Sequence, residues 1–329
     1  MRGNPLQKRK NLGRSIFGIS LLVSGLFWVA ALFFSPPPLP TTSYLPDFFH
    51  KIPFEVSKGV ALGIYLTLGY LLIPLNNKFG LIQIKASLQT SVFFFFISAC
   101  PNLQKIQFGA ILPFFLLGSL YTLFKSYQVK ESSSNLFRAF LYLGLASLFI
   151  PQLLFLVPIL LLAAITLQTL TVRSFFASLF GYLLPYWFLF TFAFVTQQMD
   201  FFYDPIKEAV RWYPDQIDLA IGIGPLLTTL YIIIMFTAST IYYLITRHRS
   251  KLSTRAFLSV IITISLALLL LIILQPIHLS TLFPSLLIGV SILVAHFFAL
   301  TKGKVANTFF AFSAIGLLAI FIFNLWTHL

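Results

Sequence analysis

"AFLSVIITISLALLLLIILQ", residues 256–275, runs through 20 positions without one charged side chain. An α-helix rises about 1.5 Å per residue, so this stretch measures about 30 Å, the thickness of a bilayer's hydrocarbon core. Comparable runs lie at 15–34, 57–75, 86–100, 108–124, 137–150, 152–170, 174–196, 221–245, 282–300 and 305–326. Unbroken apolar runs of this kind indicate helices, whereas a membrane barrel reads as roughly ten-residue segments of alternating polarity. With 58% hydrophobic and 9% charged residues and a mean hydropathy of +0.93, the chain carries more apolar surface than a soluble core of 329 residues can hide. The expected fold is all-α: a polytopic transmembrane helical bundle of about 11 spans, forming a single transmembrane domain over residues 1–329. The run ending at Pro151, "FRAFLYLGLASLFIP", is short enough to be half of a re-entrant hairpin, an alternative that leaves later loops on the same sides.

Charge gives the orientation. With the N-terminus cytoplasmic, 17 of the 22 Lys and Arg residues fall on cytoplasmic segments, and only Lys51, Lys58, Lys105, Lys207 and Arg211 fall outside. Seven of the eight acidic residues then lie outside, the exception being Glu131. This arrangement makes the C-terminus extracytoplasmic, with two main external loops near 35–56 and 197–220. The net charge of +14 reads as topology plus affinity for anionic membrane lipids, and no basic–aromatic module points to nucleic acid. The first apolar run follows a basic segment, is about 20 residues long and ends in "FFSPPPLP" without a small-residue cleavage pattern, so it is expected to be retained as a span. The one cysteine, Cys100, excludes an intramolecular disulfide and a Cys-based zinc site, and is expected to pack near a helix end.

No Asp, Glu, Lys or Arg lies deep inside a run, which disfavours an ion-coupled pump. Among the polar residues that remain, His296 in "LVAHFFAL" is the sharpest binding candidate, although a lone histidine on an apolar helix is more often a packing residue. His278, in "QPIHLST", has no nearby His or Cys partner to make a metal site. Pro113, Pro158 and Pro185 are expected inside helices, where each frees a backbone carbonyl for a neighbour or for a substrate cavity.

The remaining chemistry sits in the two external loops. The first carries Asp47, His50, Lys51 and Glu55 among aromatics. The second, "DFFYDPIKEAVRWYPDQID" at 200–218, holds five of the eight acids. There Asp204 before Pro205 reads as an N-cap with proline at the first helical position, and Ile206, Val210 and Tyr213 form an apolar stripe at i, i+4 and i+7. Lys207 follows Asp204 by three positions and Arg211 follows Glu208 by three, which predicts local ion pairs worth about 0.2 to 0.5 kcal/mol each. The resulting picture is a self-neutralising helix on the outer leaflet. The chemical alternative makes one carboxylate a general base or a ligand of a divalent cation.

Between about residues 70 and 192, "YLLIPLNNKFGLI", "FFFFISACPNLQKIQFGAILPFFLLGSLYTLFKSYQ", "FRAFLYLGLASLFIPQLLFLVPILLLAAITLQTL" and "VRSFFASLFGYLLPYWF" follow in order. This order resembles an uncharacterised multipass inner-membrane family of Bacteroidota, through Asn76, Asn77, Lys78, Pro101, Gly144, Ala146, Ser147, Leu148, Phe149, Pro151, Arg173, Gly181, Pro185 and Tyr186. Arg173 stands here without the acid that often neighbours it in that family. The resemblance implies a bacterial inner-membrane, multi-pass placement and no particular activity.

Three functions fit these residues. The leading one is an accessory or scaffolding component of the cell envelope, with membrane lipids and envelope proteins as partners and no cofactor. A second is an enzyme resembling membrane glycosyltransferases that use polyprenyl-linked sugars, with Asp47 as base, Glu55, Asp204 or Glu208 assisting in metal or sugar binding, and a divalent cation in that case alone. A third is a carrier or flippase for a lipid-linked or apolar substrate. The substrate-binding candidates are Asp204, Glu208, Arg211 and His296.

Overall fold

The computed structural model describes residues 17–18, 20–31, 53–82, 87–129, 131–211, 222–301 and 304–326. Among these residues the regular structure is helical, and each of the eleven apolar runs holds one helix. These are α1 (Ser20–Ala31), α2 (Phe54–Phe79), α3 (Leu88–Ser98), α4 (Phe108–Lys125), α5 (Ser133–Phe149), α6 (Leu156–Thr166), α7 (Val172–Val195), α9 (Ile223–Thr246), α10 (Leu252–Leu274), α11 (Leu279–Leu300) and α12 (Lys304–Trp326). A further short helix, α8 (Asp200–Val210), lies in the acidic stretch. Six of the helices are long and apolar enough to cross a membrane: α2, α4, α7, α9, α10 and α11. α3 and α6 have 11 residues each, about 17 Å of rise, and are continued by 3-10 turns at Pro101–Leu103 and Pro151–Phe155 respectively.

Proline sets several of these boundaries. Pro101, Pro151 and Pro276 each open a 3-10 turn, where the missing N–H costs no helical bond. Pro113 and Pro185 lie inside helices as expected, but Pro158 does not: it is the third residue of α6, within the first turn, and frees no interior carbonyl.

Hydrogen bonds between helix ends show that the helices of the eleven apolar runs point alternately up and down. At one end, here the α8 end, Gln152 Nε2 donates to Glu208 O at 3.3 Å, Gln275 Nε2 to Arg211 O at 3.3 Å and Gln107 Nε2 to Ser280 O at 3.3 Å. Ile106 N also donates to Ser57 Oγ there, and Asn324 Nδ2 to Ala99 O. At the opposite end Thr254 Oγ1 donates to Gly80 O at 3.2 Å, Gln128 N to Leu167 O at 3.3 Å and Lys78 Nζ to Tyr121 OH. This second end, the Gly80 end, gathers Lys78, Lys125, Arg173, Arg247, Arg249, Lys251 and Arg255 against Glu131, whereas at the α8 end Glu55, Asp200, Asp204 and Glu208 are balanced by Lys58, Lys105, Lys207 and Arg211. Charge is therefore polarised along the bundle.

The turn after α2 shows how that end is built. Gly80 takes φ 62°, the left-handed conformation that ends helices without a Cβ penalty, and its N–H reaches Asn76 O at 2.8 Å. The buried Asn76 side chain then accepts from Ile82 N at 2.7 Å and donates to Ile82 O at 3.2 Å, holding both polar groups of a turn packed under α11.

α11 is the centre of the bundle, with 83% of its apolar window buried, against 28% for α7 at the edge. α7 is nonetheless joined closely to α5, which runs parallel to it. A Cβ on Gly144 would stand 2.6 Å from Tyr182 O, and one on Gly181 would collide with Phe137 O, so the two glycines let the two backbones touch. Tyr186 OH donates to Ser147 Oγ at 3.0 Å and fixes the register.

Candidate functional site

α7 ends in a four-residue turn in which Gln197 takes φ 55° and Gln198 N returns to Ala193 O at 3.0 Å, folding α8 back against the bundle. The helix begins at Asp200, with Met199 at its cap, and so Asp204 lies inside it and is not an N-cap. The reason is that Tyr203 N already bonds Met199 O, which carries the helix through Asp204 and places Pro205 just beyond the first turn. The inward stripe also differs from the expected one. Pro205 and Ala209 are buried and Phe202 packs edge-on to Phe190 at 5.2 Å, while Ile206 is 44% exposed and Tyr213 lies outside the described residues.

The two local ion pairs are formed as the spacing predicts. Lys207 Nζ lies 3.4 Å from Asp204 Oδ1, both well exposed, and Arg211 Nη1 lies 3.0 Å from Glu208 Oε1. Glu208 is the less ordinary of the acids: its side chain is 12% exposed, and its charge acts on the buried His278 at the head of α11. Gln152 and Gln275 latch the last turn of α8 from two different parts of the chain. On the outer face Phe201, Tyr203 and Ile206 stand exposed beside Lys207, which makes α8 an amphipathic ridge at the end of the bundle.

Of the sequence candidates, the structure brings Asp204, Glu208 and Arg211 together on α8. Glu55 belongs to the first turn of α2 at the same end, and Asp47 lies outside the described residues. His296 is elsewhere: it sits 18 residues along α11 from His278, about 27 Å, with Nδ1 3.0 Å from Leu81 O and its ring edge-on to Tyr243. It is buried and ties the turn after α2 to the Gly80 end. Among the described residues, no group of three or more His, Cys, Asp or Glu side chains gathers to hold a metal ion.

Two features escaped the sequence reading. Lys58 is 2% exposed and donates to Ala31 O, which links α2 to α1 across a buried contact. Lys105 lies within electrostatic reach of it, and burial holds the Lys105 ammonium below its ordinary pKa. The signal was present in the spacing, since Lys58, Ala61, Tyr65, Leu68 and Leu72 recur at helical intervals and all are buried.

The second is a recess of about 360 Å³ between α1, α3, α9, α11 and α12. Its walls are hydrocarbon and aromatic, from residues such as Phe27, Val92, Met235 and Leu317. A polar contact on its wall is internal, Tyr231 OH donating to Ser313 O at 2.8 Å. Comparison with known proteins adds no guide to either feature. No family model, curated protein or solved structure matches this chain.

Chemically, the two features offer different things. α8 offers a pre-formed surface on which Asp204 and Glu208 are already paired with Lys207 and Arg211. The recess offers volume within the range of ligand pockets and walls that are mostly hydrocarbon.

Proposed function

We propose that this chain is a multi-pass protein of the bacterial inner membrane that serves as an accessory, scaffolding component of the cell envelope, presenting α8 to envelope partners. In this reading the helices of all eleven apolar runs cross the bilayer, the Gly80 end and the N-terminus face the cytoplasm, and α8 and the C-terminus face outward. The concentration of Lys and Arg at the Gly80 end supports that orientation, and the resemblance to multipass inner-membrane proteins of Bacteroidota supports that membrane. One observation carries the scaffolding role: α8 is latched by Gln152 and Gln275 and neutralises its own charges, yet leaves Phe201, Tyr203 and Ile206 exposed as a rigid contact surface.

The test separates surface from chemistry. Asp204→Asn and Lys207→Gln remove an exposed pair and are expected to change stability by less than about 0.5 kcal/mol, leaving complementation of a deletion strain intact. Phe201→Glu with Ile206→Glu is expected to abolish complementation and the partners recovered by cross-linking, with the purified chain still monodisperse. Loss of function in the single amide variant, with the surface variant active, would assign chemistry to the carboxylate and reject the scaffold.

A further inference from the structure

The recess between α1, α3, α9, α11 and α12 has no role in the proposal above, and it lies at a definite depth. On α12 its lining residues Ser313 and Ala314 stand nine and ten residues after Lys304, about 14 Å along the helix. On α9, Met235 stands twelve residues before Arg247, about 18 Å. On α11, Phe298 and Val294 stand two and six residues before Leu300, about 3 and 9 Å, so the recess runs from close to the basic Gly80 end to about the middle of a hydrocarbon core about 30 Å thick.

Water is a poor occupant at that depth. A buried water needs two or more polar partners, and the Tyr231 hydroxyl on this wall is already committed to the Ser313 carbonyl. A helix from a partner, about 10 Å across, is too large for 360 Å³. A hydrocarbon chain from the surrounding bilayer fits the volume and the walls. A chain that reaches mid-depth from the Gly80 end has its head group at the level of Arg247 and Lys251, where a negative phosphate is favoured.

We propose that this recess holds one acyl chain of an anionic phospholipid whose head group lies at the Gly80 end. The inference rests on membrane placement alone and is independent of any partner on α8. It makes the lipid a structural part of the bundle, joining α1 and α12 to the better-packed helices around α11.

The test uses the full chain, reconstituted with phosphatidylglycerol that carries a photoreactive diazirine near the middle of one acyl chain. Met235 and Val92 are only 3% and 6% exposed, whereas Leu226 and Leu230 on the same α9 face the surroundings. Labelling of Met235 and Val92 is expected, and a phosphatidylcholine probe is expected to label them about tenfold less. Ala314→Phe, which fills the recess from an exposed position, is expected to lower labelling of Met235 and Val92 about tenfold and leave Leu226 and Leu230 labelled. Should that variant fail to assemble, the wild-type pattern decides by itself. Labelling confined to Leu226 and Leu230 overturns the site, equal labelling by the two probes overturns the anionic head group, and displacement by a polyprenyl phosphate overturns the acyl occupant.

Discussion

Gly181→Leu is expected to prevent α5 and α7 from packing and to destabilise the protein by more than about 3 kcal/mol. The first added atom alone, the Cβ, meets the carbonyl of Phe137, a backbone atom that no rotamer change can move. Over-packing ordinarily costs about 1 to 3 kcal/mol when side chains can adjust, and here a helix must shift instead. Gly144→Leu acts on the same interface from the other side, against Tyr182 O at 2.6 Å, and is expected to do the same. Gly63→Leu is the control. Its added Cβ has open space within 4 Å, so a change of less than about 1 kcal/mol is expected, with helix propensity favouring leucine. Reversible unfolding in detergent, with the fraction of monodisperse protein, reads the difference; equal effects of Gly63→Leu and Gly181→Leu would remove the close-contact explanation.

Lys58 gives the second large effect, and here two physical terms compete. Burying a charge is expensive, so replacing a buried lysine with an apolar residue of similar length often stabilises a protein. Against that, Lys58 supplies a donor to Ala31 O on α1, and a buried acceptor that loses its partner costs about 1 to 3 kcal/mol. Methionine offers no donor in place of the ammonium on this buried α1–α2 link, which decides for the second term. Lys58→Met is therefore expected to destabilise by about 1 to 3 kcal/mol, and Lys58→Ala by about 2 to 5 kcal/mol because it also leaves a cavity. A Lys58→Met protein as stable as the parent would mean that desolvation and capping cancel.

Helix positions were legible in the sequence because bilayer thickness and apolar run length are tied by one geometric constant. The run at 256–275 becomes α10 at Leu252–Leu274, and the run at 174–196 becomes α7 at Val172–Val195. The ion pairs of α8 were equally legible, since Asp204–Lys207 and Glu208–Arg211 depend on spacing within a single helix. Its start was misread because Asp-Pro is a strong local signal. Tertiary placement against Phe190 and the turn at Pro151–Phe155 recruited "DFFY" into the helix ahead of that signal. Gly144 and Gly181 were visible as residues of a weak pattern, but their meaning required knowing that α5 and α7 are neighbours although α6 separates them in sequence. The recess was illegible for the same reason: five helices from residues 23 to 318 line it, and no local stretch carries its shape.

Sidedness is the claim on which the proposed role of α8 depends, and one labelling experiment addresses it most directly. With the native Cys100 replaced by Ser, a single cysteine is placed at Asp204 in one chain and at Lys251 in another, both exposed or half-exposed positions at opposite ends of the bundle. A membrane-impermeant maleimide is then applied to intact spheroplasts. The proposed orientation predicts rapid labelling of Asp204→Cys, with Lys251→Cys protected until the membrane is permeabilised. The opposite pattern would contradict it and would turn α8 toward the cytoplasm.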